Sequence, residues 1–298
     1  HAPVHLGEEF EEIALENPLI AELVMINSTL SPTLSPILYL PHGGGPLPIL
    51  GDERHEKMVA FLTGIAPQLS EPSAILVISA HWEEHQATVT GGGHPALIYD
   101  YSGFPSAAYQ IQYEAPGDPK LAQDLLRMIT AHGLPAKIDE QRGFDHGLFI
   151  PLKLMYPDAR IPCIQLSLLK NLDPHMHISL GKAIAPLRQQ NVLIIGSGMS
   201  FHNLKAFFSS SADIITANEA FNEWLIDTCA APGLSCEQRE QRLIAWEKAP
   251  SARFCHPREE HLLPLHVCFG AASIETSPAT IVFNDEIMGT KVTSFLWH

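Results

Sequence analysis

The sequence is short of the features that mark several large classes of protein. Its five cysteines, Cys163, Cys229, Cys236, Cys255 and Cys268, are odd in number and form no CxxC pair. That argues against a disulfide framework or a cysteine-type zinc site, and for a reducing compartment, the cytoplasm. Positive charge is scarce as well. Lys and Arg total 18 against 33 Asp and Glu, a formal net charge of -15. Such a chain repels phosphate backbones, so nucleic acid is not an expected partner. No apolar run approaches the roughly 20 residues that cross a bilayer, so neither is a membrane. The first residues lack the basic-then-apolar form of a secretory leader. Internal repeats and low-complexity blocks are missing. So are GxGxxG, the Walker Lys-Ser/Thr pair, HExxH and GxSxG, although GSGMS at 196–200 looks superficially like a nucleophile elbow.

What is present suits a globular domain. The chain has 298 residues, 46% hydrophobic and 17% charged, enough for a sizeable core. Residues 1–35 read as a separate extension, an acidic amphipathic helix broken by two Ser-Pro steps. From residue 36 onward, short apolar runs alternate with helical patterns. Strands are expected at 37–41, 74–80, 87–91, 136–138, 161–167, 192–196, 280–284 and 291–295. Helices are expected at 53–69, 118–132, 148–156, 174–190, 212–230, 236–246 and about 257–271. This alternation predicts one α/β domain, a mixed, largely parallel central sheet flanked by helices. No Pro/Gly-rich linker divides it.

The stretch 74–82, AILVISAHW, organises the rest. Its Ile- and Val-rich run fits a strand buried on both faces. It delivers His81 to the strand's C-terminal end, where ligands bind in open α/β sheets. ILYLPH delivers His42 in the same way, and VLIIGSGMSFH leads to His202. Histidine is abundant, with 16 in the chain, and it is the commonest metal-binding side chain. Two further histidines stand out. His146 lies between glycines in GFDHG, a setting shared by site residues and ordinary turn residues. His261 is expected in a helix, with Glu259 and Glu260 beside it. Three imidazoles with open positions would make a catalytic rather than a structural metal site. The remaining features are read more plainly. Gly43–Gly45 are expected to make room around His42. His175 and His177, two apart on a helix, are expected at the surface. The aromatic segment 99–113 reads either as a packed loop or as a wall over a flat substrate. Arg142 and Arg253 are candidates to pair with a substrate carboxylate.

Several separated motifs also carry a resemblance: PHGGGP, SAHWE, YSGFP, YEAPGDP, GFDHGLFIPLKLMYP, IPCIQLSLL, GSGMSFHNL and EEHLLPL. In this order they resemble the DODA-type (4,5-DOPA) extradiol ring-opening dioxygenases of the class III, protocatechuate-4,5-dioxygenase-like superfamily. The resemblance covers about residues 36–298, which it implies are the catalytic domain. It implies insertion of O2 into a catechol beside its two hydroxyls, with Fe(II) needed for activity and Zn(II) able to occupy the same site. It implies that His42, His81 and His261 are the metal ligands, that His202 is an acid/base or a further metal neighbour, and that His146 contacts substrate. In the wider superfamily the third ligand is a glutamate; here, as in the DODA-type branch, it is histidine. A zinc-dependent hydrolase on the same histidines is the rival reading. The identity of the catechol and the oligomeric state are not written in the sequence.

Overall fold

A computed structural model describes residues 33–209, 211–272 and 278–298. The amphipathic helix read within the first 35 residues lies outside the described residues. Ser35–His298 forms one compact unit. Its strands are β1 (Ile37–Pro41), β2 (Ala74–Glu84), β3 (Ala87–Thr90), β4 (Ala136–Asp139), β5 (Cys163–Leu169), β6 (Val192–Gly198), β7 (Thr280–Ile287) and β8 (Thr290–Trp297). Its helices are α1 (Glu56–Ile65), α2 (Pro119–Ala131), α3 (His146–Met155), α4 (Pro174–Ile184), α5 (Ala212–Ala230), α6 (Cys236–Ile244), α7 (Ala252–Cys255) and α8 (Leu263–Ala272). Among the described residues, no helix is long and apolar enough to cross a membrane.

The strands make one sheet in the order β4-β3-β5-β2-β6-β1-β8-β7. The inner four, β5, β2, β6 and β1, run parallel to one another, and antiparallel pairing enters at β3 and at β8. This is the mixed, largely parallel sheet expected. The inner strands are apolar along nearly their whole length because helices cover both faces, leaving no solvated side to alternate with. Helix ends follow local chemistry. Asp118 caps α2 by accepting from Leu121 N, Pro119 starts the first turn, and Gly133 leaves in the left-handed region at φ +88°. The stripe Leu121, Ala122, Leu125 and Ile129 is buried.

Four local readings are corrected. The long C-terminal helix does not start near Pro257. Chain 252–255 makes the short α7, and α8 begins at Leu263. Pro257 excludes His256 from helical backbone, while Pro264 sits in the first turn of α8, where proline is tolerated. His261 therefore lies in the turn between the two helices. His146 is not in a loop: it is the first residue of α3, capped by Asp145. Strand β2 runs four residues past its expected end, with a register shift against β5 between Ile78 and Glu83. His177 is not at the surface but fully buried. It faces inward from α4, where its Nε2 accepts from Leu169 N at 3.0 Å and its Nδ1 lies 2.7 Å from Asp173 O. The spacing of His175 and His177 showed that they face different ways, but not that one of those ways is the core.

Candidate metal centre

Three neighbouring strands set the site. β2, β6 and β1 are adjacent, and their mutual pairing ends at one level: Ser79 of β2 pairs with Ser197, and Pro41 with Gly198. His42 follows β1 directly, His81 lies two residues beyond Ser79, and His202 follows β6 by four residues. The rim is the C-terminal edge of the parallel sheet, as expected.

His261 reaches the rim by a different route. A Cβ on Gly198 would sit 2.2 Å from His261 O, so only glycine lets the 259–262 turn lie against the end of β6. That carbonyl then accepts from Tyr39 Oη at 2.8 Å and from Met199 N at 3.1 Å. Burial above all pushes the Tyr39 phenol well above its usual range, so it keeps the proton it donates.

All five histidines singled out in the sequence meet here. One ring nitrogen from each of His42, His81 and His261 lies within 4.8 Å of the others. His42 Nε2 and His81 Nε2 are 3.1 Å apart. Two nitrogens bound to one ion at about 2.0–2.1 Å stand about 3 Å apart, so the spacing fits a shared metal. His146 packs on His81 with ring centroids 4.0 Å apart, and His202 stacks on His261 at 3.5 Å and 8°.

The electrostatics favour the same reading. Burial first, then the neighbouring imidazoles, holds His42 and His261 well below the usual imidazole range. Burial takes His81 and His202 down to about 4. These rings are therefore neutral near pH 7, the form that binds metal. His261 Nε2 is buried without a hydrogen-bond partner. A buried, unpaired lone pair is costly unless something fills it, and a cation at the convergence of the three rings would do so.

Two other donor groups, His81–Asp100–His146 and His202–Glu260–His261, overlap the first. Their carboxylates already have partners. Asp100 Oδ1 accepts from His146 N at 3.0 Å and lies 2.6 Å from His146 Nδ1. Burial works to raise the Asp100 carboxyl, and the bonds to His146 outweigh it and bring it below its usual value. Glu260 Oε1 lies 3.2 Å from His261 Nδ1. Because His261 sits in a turn rather than a helix, the neighbouring Glu260 side chain can turn back onto its ring. The carboxylate orients the ring and leaves Nε2 for the centre, as carboxylates commonly do behind metal-binding histidines.

Sequence reasoning missed the scaffolding. Asp145 Oδ1 accepts from Ser79 Oγ at 2.7 Å and from Gly147 N at 2.9 Å, and Ser79 Oγ in turn accepts from His81 N at 3.1 Å. One carboxylate thus ties the start of α3 to the stretch of β2 just before His81. Its place directly before His146, as a helix cap, was the available signal. His55 was missed as well. A Cβ on Gly43 would fall 2.7 Å from His55 Cδ2, and Gly44 N donates to His55 Nε2 at 2.9 Å. Gly43 and Gly44 thus make room for His55, while Gly45 lies against Phe104. Neither Arg142 nor Arg253 lines the cavity. Arg142 bonds Asp145 and stacks on Trp82, while Arg253 bonds Glu247 and Glu259 and stacks on Trp246. The arginine that does line it is Arg258.

The five histidines open onto a cavity of about 710 Å³. From the aromatic segment, Tyr101, Ser102 and Phe104 reach its wall; Tyr99, Tyr109 and Tyr113 do not. Both readings of that segment hold in part.

Comparison with known proteins agrees with this geometry. Residues 36–294 match the family model of the catalytic LigB subunit of aromatic ring-opening dioxygenase. The chain is 36% identical over 282 residues to the dioxygenase tasH of Hapsidospora irregularis, covering 89% of this chain and 86% of that one. It is 39% identical over 249 residues to the 4,5-DOPA dioxygenase extradiol of Beta vulgaris, covering 83% and 90%. An uncharacterized protein of Escherichia coli K12, solved as a crystal structure, superposes with a TM-score of 0.70 at 28% identity, covering 89% of this chain and all of that one.

Proposed function

The chain belongs to the family of catalytic LigB subunits of aromatic ring-opening dioxygenases, and from that premise we propose that it opens the ring of a catechol beside its two hydroxyls, using Fe(II) held by His42, His81 and His261. The observation that carries the reading is the convergence of three neutral imidazoles at a cavity, two buried and one half-buried, one of them with an unpaired Nε2. Bound there, Fe(II) would supply Lewis acidity toward the catechol oxygens and electron exchange with O2, of which redox-inert Zn(II) supplies only the first.

The chain's own groups account for the rest. A catechol that binds through both oxygens must give up protons. His202 lines the cavity, is neutral near pH 7, and stacks on a proposed ligand, so it is placed to take a proton and later return it. Asp100 accepts from His146 Nδ1, which fixes that ring's tautomer and leaves Nε2 to steady a substrate oxygen. Tyr101 and Phe104 supply apolar ring surface for a flat substrate. Tyr101 Oη is anchored on Ala108 O at 2.5 Å, so that wall is fixed.

The test is oxygen uptake by Fe(II)-reconstituted protein against a panel of catechols. Consumption of O2 with a yellow ring-opened product, lost under anaerobic conditions, is the expected result. No O2 uptake with any catechol, beside metal-dependent cleavage of an ester or amide, would instead indicate zinc-type hydrolysis.

A further inference from the structure

The cavity is much larger than a bare catechol needs. It measures about 710 Å³, whereas a cavity of about 150 Å³ suffices for a benzene ring. Its remaining walls differ sharply in character.

One side is charged but already neutralised. Arg258 makes two bonds of 2.6 Å to the carboxylate of Glu83, and its Nη1 lies 3.6 Å from Glu260 Oε2. Two acids face one base, so an incoming carboxylate would compete with Glu83 for the guanidinium and meet a surplus of negative charge. The nearby Arg54 is likewise bonded to Asp52 and stacked on Phe208.

The rest of the lining is largely apolar. It includes Leu47, Leu204, Phe207, Phe208 and Met288, with Leu204 also bordering Arg258 and Glu260 in an adjoining groove. Leu204 is 74% exposed and Phe208 54%, although both are large hydrophobic side chains. The backbone of Phe208 is held in the left-handed region at φ +66°, and its N–H bonds Met288 O at 3.0 Å. That conformation is uncommon for a bulky residue and persists only where surrounding contacts impose it. In that conformation Phe208 lines the cavity.

We infer that this apolar wall is a substituent subsite, and that the preferred substrate is a catechol bearing an uncharged aryl or alkyl group rather than a bare catechol or one whose side chain ends in a free carboxylate. The inference rests on the ring-opening reading and narrows it. The ring chemistry stays the same, and the substituent is chosen by contact with Leu204, Phe207 and Phe208.

Anaerobic calorimetric titration of the Fe(II)-loaded protein with 3,4-dihydroxybiphenyl, catechol and 3,4-dihydroxyphenylalanine tests it, with the same compounds then assayed in air. The biphenyl is expected to bind at least tenfold more tightly than the other two. The substitutions Leu204→Ala and Phe208→Ala, at exposed side chains and checked by thermal melting, are expected to reduce that ratio severalfold. Equal or tighter binding of the amino acid, or an unchanged ratio in both variants, would overturn the subsite. If Arg258→Met also weakens the amino acid, a carboxylate subsite replaces it. If the biphenyl binds in the expected order but no catechol consumes O2, the ring-opening reading fails and the subsite stands. If the amino acid is opened in preference, the reverse holds.

Discussion

Two sets of buried histidines sit in this molecule, and they differ in what their nitrogens touch. His177, His256 and His266 are packed in the core. Each has a ring nitrogen on a main-chain group: Leu169 N, Ser200 O and Leu243 O respectively. At the rim His42 and His261 are buried and His81 is half-buried, yet their nitrogens face one another. Burial depresses both sets, His177 and His266 to about 4 and His256 to about 3. Charge state therefore does not separate a site histidine from a structural one. Convergence of lone pairs with no main-chain partner does.

The comparison breaks most severely if a rim histidine proves dispensable. His261→Ala should remove bound metal and lower turnover by about a thousandfold or more, because two imidazoles do not make an open three-ligand site. Metal analysis beside oxygen uptake reads both effects. His202→Phe should lower turnover by about 10²- to 10⁴-fold, the usual range for a lost acid/base, while metal content stays near normal. Loss of metal in that variant would make His202 a ligand. Gly198→Ala tests the seat of His261. Its Cβ would fall 2.2 Å from His261 O, and displacing the turn should weaken metal affinity by about 10- to 100-fold, the range seen when support behind a ligand is lost.

The core set should respond in stability instead. His256→Ala leaves a cavity and an unpaired Ser200 carbonyl, and should cost about 2–4 kcal/mol in denaturant unfolding with little change in metal binding. The pH dependence has a definite sign. The folded-state values of His177, His256 and His266 lie below the 6.5 of a free imidazole, so the unfolded chain takes up protons first as pH falls. Their contribution to stability is complete above about pH 6.5 and is lost between there and pH 3–4. The metal-free protein should show a melting temperature that is flat above pH 7 and falls below pH 6.5, with a shallower slope in His177→Gln.

Much of this was legible in the chain because strands announce themselves. The runs ILYLP, AILVIS and VLIIG can only be buried strands, and each hands a histidine to the same edge. His42, His81 and His202 were readable from that pattern alone. His261 was recognised through its motif, but its setting was not: Pro257 and Pro264 bracket a turn that the helical pattern on either side concealed. The supports were less readable still. Nothing local joins Asp100 to His146, Asp145 to Ser79 or Tyr39 to His261, because these bonds span 46, 66 and 222 residues. His177 and His55 escaped for the related reason that composition cannot say which histidines the core will claim. Arg258 differs from Arg142 and Arg253 only in the direction the folded backbone gives it.

X-ray absorption at the metal edge of the reconstituted protein addresses the convergence of the three rim imidazoles most directly. Scattering from three imidazoles in the parent protein, falling to two in His42→Ala, is the predicted result. A parent spectrum with two imidazoles or fewer, or one unaltered by that substitution, would contradict it.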